Sequence, residues 1–506
     1  MSGSRCAASS VAVRRQSPEA VAMAWAAVAS RRLRSASAVG ARTMGADVLT
    51  TQRRDPPSST SVNSGINITM KTSFRRLLIG CVAASALQVV APTIAHAQIE
   101  ASPLIPATLP DGFDKGRNVS VTERPRPDYD PLGVNLGGFT LFPKVDTGIG
   151  YTSNVYLTDN NKEGDGFVVF NPAARLRSEW NRHQVQLNAA GAFRRFFNNS
   201  VRNEDSYNLA ALGRLDVGDA LTVTGEAQFA QQFETPITGD VASSLAVLSQ
   251  YKRDFLSLRG QYGVGQGRLM LAADRSHFAF DPIRLPSGTA IDQENRDRTL
   301  TRVTAQAEYA FTPSISAYGQ LSYGDTDYDT LLLPNVANRD SDSYRFIAGT
   351  NFDLSALVRG TIGVGYAQRN YKSPLYKDVD GLSIEAKVEY FPSELTTFGL
   401  GLRRVIEDSN IGNTNAYFDN RGSLRVDHEL LRNLILNAIA EYAQQDFIGS
   451  TRKTTFYRGA GGARYLINRL LGLQLQLSYI KRDTTGEDLG QQFDEFRGQL
   501  TLVVQR

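Results

Sequence analysis

The sequence predicts an all-β protein, a transmembrane antiparallel up-and-down β-barrel of about eighteen strands, with about sixteen as the other count. Three observations carry that expectation. From residue 136 onward apolar and polar residues alternate with a period of two; the connections between those runs alternate strictly between short and long; and an export signal precedes them all.

Composition narrows the field first. The 506 residues are 42% hydrophobic and 21% charged, with 43 Gly and 2 Cys, which excludes a disulfide-stapled mini-protein, a collagen-like chain and a wholly disordered one. No apolar run reaches the length a bilayer-spanning helix needs. The formal charge of +4 misleads, because the first 97 residues hold 12 Lys/Arg and 3 Asp/Glu, leaving 43 bases and 48 acids beyond them. Nucleic-acid binding from bulk charge is thereby set aside. Cys6 and Cys81 both lie in the early region, so thiolate catalysis and Cys-ligated metal are excluded for the rest of the chain.

Residues 1–69 are rich in Arg, Ser and Ala and show no periodicity. They read as an upstream extension from a start codon assigned too early, with an organelle transit peptide as the other reading. From Met70 the chain has the parts of a secretory signal, 70–97. Lys71, Arg75 and Arg76 are basic, Leu77 to Val90 is the apolar segment, and Ala95-His96-Ala97 is the cleavage site. Leu78 to Cys81 resembles a lipobox, but too few apolar residues separate Arg76 from Cys81 for that reading. Residues 98–135, with Pro103, Pro106, Pro110, Pro125, Pro127 and Pro131, form a periplasmic lead or plug rather than a packed domain.

Residues 136–506 are the barrel. Leu471, Leu473, Leu475, Leu477 and Tyr479 occupy every odd position of one run, and Val303, Ala305, Ala307, Tyr309 and Phe311 do the same in another. Strands are expected to begin near 139, 167, 184, 206, 221, 253, 268, 297, 315, 342, 358, 382, 395, 416, 434, 452, 471 and 490. Short connections such as Gly218-Asp219-Ala220, Pro313-Ser314 and Arg432-Asn433 alternate with long polar ones. A barrel keeps its tight turns at one end and its long loops at the other, whereas a soluble sandwich has no reason to. An even strand count returns both mature termini to the periplasm. Trp180, Phe311, Tyr390, Phe391 and Tyr465 lie beside short turns, as an aromatic girdle would. Closure is also the only way for strands to cross lipid without unpaired backbone groups.

Phe139 to Val155 is similar to the opening of a bacterial family, putative β-barrel porin 2, through Pro143 and the Tyr151-x-x-Asn154 element. The resemblance covers nearly all of 136–506. It implies an outer-membrane barrel of a Gram-negative bacterium, and for some members a place beside exopolysaccharide export machinery. One departure is the end of the chain, Val503-Val504-Gln505-Arg506, which lacks the final aromatic that many such barrels carry.

Little else suggests chemistry. Ser276 precedes His277, but a barrel hydrolase needs both on one face with an orienting third group. Gly263 to Gly267 and Gly459 to Gly462 lack the strand-to-helix setting and the following Lys of a phosphate loop. Asp325, Asp327 and Asp329 lack the Gly and terminal Glu of an EF-hand. No cofactor, metal site or catalytic residue is expected, and the protein is not expected to be an enzyme.

Alternation places Arg175, Arg177, Arg194, Arg214, Arg259, Arg302, Arg359, Lys387, Arg458 and Arg464 on the inward face, together with Arg268, Arg425 and Arg497. Glu179, Asp216, Glu226, Asp274, Glu308, Glu385, Glu389, Asp427 and Glu441 accompany them. These charges build either a cross-strand ion-pair ladder that stiffens the wall or a basic, wet path for anionic solutes or acidic polysaccharide. The resulting expectation is a porin-like passive channel, or the outer-membrane component of exopolysaccharide export. A non-conducting scaffold or adhesin with a plugged lumen is the alternative. Expected partners are outer-membrane lipid and lipopolysaccharide, the barrel-assembly machinery and polysaccharide export proteins. Nucleic acid is not among them, and the oligomeric state is left open.

Overall fold

The structure, a computed structural model, describes residues 118–234, 248–284, 290–409, 414–487 and 492–506. The export signal at 70–97, the extension at 1–69 and residues 98–117 of the lead lie outside the described residues. Eighteen long antiparallel strands follow one another round a closed sheet. They are β1 (Phe139–Thr152), β2 (Asp165–Ser178), β3 (Gln184–Phe196), β4 (Glu204–Val217), β5 (Leu221–Phe233), β6 (Gln250–Val264), β7 (Gly267–Phe280), β8 (Arg298–Thr312) and β9 (Ile315–Tyr328). The second half is β10 (Ser341–Leu354), β11 (Val358–Tyr371), β12 (Val379–Ser393), β13 (Thr396–Asp408), β14 (Ala416–Leu431), β15 (Leu434–Phe447), β16 (Lys453–Leu466), β17 (Leu471–Thr485) and β18 (Phe493–Gln505). The strands start within three residues of the positions the alternation predicts.

Each strand pairs with its sequence neighbours, and β18 pairs back onto β1 from Lys144↔Gln505 to Thr152↔Arg497. Closure therefore leaves one loose stretch, the start of β1 beyond the end of β18. Val134–Asn135 covers it by pairing with Leu141 and Thr140. Pro143 stands at the hand-over. Its carbonyl accepts from the Arg506 N–H at 3.1 Å, and the N–H that would have pointed to the same edge does not exist in proline, so nothing is left unpaired there.

The tight turns all lie at one end, here the near end, and the long loops at the far end. The β10–β11 turn bends through Ser355 (φ 53°) and Ala356 (φ 57°), both in the left-handed region without being glycine. A side chain at such a dihedral costs about 1 kcal/mol or more. The Leu357 N–H still closes the turn onto the Leu354 carbonyl at 3.0 Å.

The two faces differ as alternation requires. Outward positions between the ends are large and apolar, with Leu321 at 61% and Leu271 at 61% exposure, which only a lipid environment makes favourable. Two outward aromatic belts bound this band. The far belt includes Tyr323 against Tyr344 at 5.2 Å and Tyr442 against Tyr457 at 5.4 Å. The near belt includes Tyr309 against Phe311, Phe139 against Trp180, and Tyr390 against Phe398. On β16, Tyr457 and Tyr465 lie eight residues apart. That is about 27 Å along the strand and about 21 Å along the axis at a tilt near 40°, which matches the apolar band of an outer-membrane barrel. Phe391 is a correction to the expected girdle: it points inward, is buried, and lies under the Arg359 guanidinium at 5.1 Å.

Two outcomes are expected. Replacing Ser355 by Asn together with Ala356 by Gly should stabilise the folded barrel by about 1 kcal/mol, since the pair Asn-Gly suits this turn. Urea midpoints followed by the gel shift between unboiled and boiled protein would report it. Leu321→Arg, in the middle of the lipid band, should cost about 2–4 kcal/mol in refolding titrations into lipid.

Candidate functional site

The inside of the barrel is the candidate site, and it has three levels. At the far end, aromatic rings turn inward and each carries an arginine on its face. Arg194 lies 4.9 Å from the Phe167 centroid, Arg298 is 5.1 Å from Phe278, Arg452 is 4.8 Å from Phe447 and Arg482 is 5.2 Å from Phe456. Phe167 also packs edge-on against Phe196 at 5.5 Å. Cation–π stacking lets these guanidinium groups sit beside carbon without losing all electrostatic compensation.

The second level, the inner wall itself, is a mesh of ion pairs, some between neighbouring strands and others along a single strand. Arg302 on β8 meets Asp274 on β7 at 3.0 Å, Arg268 donates through Nε to Glu308 at 2.9 Å, and Arg421 bridges Asp419 at 2.6 Å and Glu441 at 3.3 Å. Arg458 reaches Glu441 at 3.2 Å, Arg214 reaches Asp216 at 3.0 Å and Arg194 holds Glu204 at 2.7 Å. Their exposures are unequal. The base is the more exposed partner in Arg268–Glu308 (25% against 5%), Arg425–Asp427 (41% against 5%) and Arg497–Glu495 (26% against 5%). The order reverses at Arg177, Arg194, Arg359, Arg369 and Arg458, and the two partners are nearly level in Arg214–Asp216 and Arg421–Glu441. The physical reason for the first group is length: a short carboxylate stays at the wall while the longer arginine reaches past it.

The near level is a strap. From Asn118 the chain makes two tight turns, one on the Ser120 carbonyl and one on the Arg126 carbonyl, and lies on inward-facing residues of β11 to β18. Arg126 pairs with Glu429 at 2.7 Å, both buried, and also donates to the Val121 carbonyl at 2.8 Å. Val121 packs with Ile435 and Leu466, and its N–H donates to Thr397 Oγ1 at 3.1 Å. Arg359 meets Glu389 at 2.6 Å and reaches the strap at Glu123 (3.2 Å) and at the Asn118 carbonyl (3.1 Å). Arg469 Nε donates to the Pro127 carbonyl at 2.9 Å. The described part of the expected lead or plug thus lies against the near mouth.

The structure places all ten inward candidates on the inner wall. Arg175 and Arg177 lie 4.8 Å and 5.7 Å from the Phe142 ring. Arg177 also meets Glu179 at 3.3 Å. Arg259 and Lys387 are inward and exposed, and Arg464 is inward on β16. Sequence reading passed over Arg253, Arg298, Arg345, Arg369, Arg403 and Arg421, although the same parity counted to the strand ends would have found them.

Of the motif residues, Tyr151 points outward in the far belt, and Asn154 is fully buried. Its side-chain amide donates to the Asp494 carbonyl at 2.9 Å and the Thr158 carbonyl at 2.7 Å, and its oxygen accepts from the Thr158 N–H at 3.0 Å. Thr152 Oγ1 donates to Glu495 beside it at 2.5 Å. Asn154 and Pro143 thus mark the two ends of the seam where the first strand meets the last.

The features that might have carried catalysis are separated. Ser276 is inward and buried while His277 is on the opposite face, beside Thr299 Oγ1 at 3.2 Å. Asp325 and Asp327 accept from the Lys372 ammonium at 2.9 Å and 2.6 Å, so a lysine is their counter-ion. Those bonds, that to Asp327 first, push the Lys372 pKa up. Among the described residues no group of His, Cys, Asp and Glu is arranged to hold a metal.

The chain matches the family model described as "Putative beta-barrel porin 2" over residues 126–506. Among solved structures it is similar to OpdL of Pseudomonas aeruginosa, at 15% identity over 73% of this chain and 99% of that one, with a TM-score of 0.40. It is similar to the outer membrane protein OpdK of the same organism, at 15% identity over 72% and 98%, with a TM-score of 0.41. A mutant of the ferric enterobactin receptor PfeA from that organism follows at 9% identity over 72% and 80%, with a TM-score of 0.39. No curated protein is matched.

Removing the seam clasp should be felt directly. Asn154→Ala leaves the buried carbonyl of Asp494 without its donor, an expected cost of about 1–3 kcal/mol, read as a lower temperature at which unboiled protein loses its compact gel mobility.

Proposed function

We infer that this chain, which belongs to the putative β-barrel porin 2 family, is a passive outer-membrane channel for small anionic solutes. One observation carries the reading. In several wall ion pairs, and at Arg259 and Lys387, the groups most open to the lumen are cations, although the mesh is nearly balanced in formal charge. A solute passing through meets guanidinium edges before carboxylates, and a low-dielectric wall strengthens that bias. Entry and exit need no energy source, and size selection falls to the far aromatic level and the near strap. The near end faces the periplasm in this reading, and lipopolysaccharide meets the far belt. The barrel-assembly machinery inserts the protein. Transport does not require a catalytic step.

The strap favours a second reading, a scaffold closed at its periplasmic mouth. Its buried Arg126–Glu429 pair and the Val121 contacts hold it against the wall. Within the first reading, exopolysaccharide export would need the strap to leave the mouth, since a polymer threads the full lumen.

Planar-bilayer recording of the refolded mature chain decides between them. The expected result is small, stepwise, anion-preferring conductance that rises severalfold on deletion of residues 118–130 or on Arg126→Ala. A folded barrel that stays silent with the strap deleted would overturn the channel and leave the scaffold.

A further inference from the structure

The inner wall of β8 to β13 contains a concavity of about 90 Å³, and the register of the strands explains why it is there. Arg302 stands opposite Gly324, Arg345 stands between Ser322 and Ala367, and Arg369 stands opposite Ser343. Each of these cations thus has on at least one side a partner of at most two side-chain heavy atoms, the other partners being Asp274 for Arg302 and Val379 for Arg369. The small partners leave a hollow at the wall, and the guanidinium groups frame it. Arg403, opposite Glu385 on the next pair of strands, completes the frame.

Each frame arginine is also anchored. Arg302 is held by Asp274, Arg345 by Glu385 and by Ser383 Oγ at 3.0 Å, Arg369 by Asp408, and Arg403 by Glu407 at 3.2 Å. Anchoring fixes the planes of the forks before any solute arrives, which lowers the ordering cost of binding. A guanidinium has five N–H donors and one carboxylate takes at most two of them. The hollow is not simply cationic, however. Glu407 contributes an acceptor, Ser322 and Ser343 contribute hydroxyls, and Leu300, Ala367 and Val405 contribute apolar surface, while Glu385 and Ser383 lie fully buried behind them.

We propose that this hollow receives the carboxylate end of a small acid that also carries hydroxyl groups, of the kind of a sugar acid, the rest of the solute lying in the lumen. The carboxylate would sit on the guanidinium frame and the hydroxyls on Ser322, Ser343 and Glu407. A bare inorganic anion would leave Glu407 repelling it, and a neutral sugar would leave the arginines unused. The proposal rests on the channel reading for its biological sense, but not for its test.

The test uses the folded mature chain in detergent, with glucuronate as the probe and glucose as its neutral match, read by titration calorimetry. Saturable glucuronate binding is expected, with glucose at least tenfold weaker. Arg345→Gln should weaken glucuronate at least tenfold. Ser343→Leu, which fills the hollow and leaves every ion pair in place, should do the same. Arg195→Gln, in an exposed ion pair with Asp205 on the outward face, should leave binding unchanged. Unboiled gel mobility confirms that each variant is folded. Folded wild-type protein that ignores glucuronate, binds glucose equally well, or loses no affinity in Ser343→Leu would overturn the niche. Bilayer recording of the strap-deleted chain separates the two ideas: binding without current keeps the niche and removes the channel, and current without binding does the reverse.

Discussion

The structure depends on one requirement, that no backbone N–H or C=O may face lipid without a partner. A sheet meets it only by closing, and closing creates a single vulnerable line where the first strand meets the last. Here that line is finished at both ends by different means. At the near end β18 stops short of the start of β1, and Val134–Asn135 takes over the exposed edge, with Pro143 placed where one ladder gives way to the other. At the far end Asn154 joins the first loop to the last strand through its side-chain amide. Two of the three motif residues, Pro143 and Asn154, are therefore seam residues, and their chemistry fits that position: one lacks a donor where none could be used, and the other supplies both a donor and an acceptor.

Once closed, the wall has two solvents, and the alternation of side chains sorts residues between them. The outward face is leucine and its like between two aromatic belts. The inward face must satisfy charge in a confined space, and it does so with pairs across and along the strands rather than with isolated groups. Pairing removes most of the net charge but not its geometry. A short acid close to the wall and a long base extending past it present different surfaces to a passing solute, so a nearly neutral lining still has a sign. Among the exceptions, Arg194, Arg359 and Arg458 lie where rings, strap or neighbouring acids cover the arginine.

Obstruction and recognition occupy different parts of the lumen. The strap closes on inward residues of β11 to β18 at the near end, whereas the arginine-framed hollow lies in the wall of β8 to β13, toward the far end. They share β11 to β13. Arg359 and Arg369, on the same strand and the same face, serve one each. A solute bound in the hollow and the strap at the mouth are thus linked through a single stiff element, with the ladder between them unbroken.

The alternation, the one-sided turns and the even strand count were legible in the chain because they depend on residues two apart or on connection length, both local properties. From them followed the barrel, its eighteen strands and the inward face of Arg175, Lys387 and Arg464. What the chain alone could not specify is what meets what across the interior. Phe391 has the parity of a lumen residue, yet its position beside a turn suggested the girdle. The Pro-rich lead carries no periodic signal, yet it has a docking site built from Thr397, Glu429 and Ile435, residues more than two hundred and fifty positions away. Asn154 looks like any loop asparagine until β18 returns to it. Register is the common cause. Which guanidinium faces a glycine and which faces a carboxylate is set by how far each strand slides along its neighbour before the ring closes, and that is a property of the whole barrel.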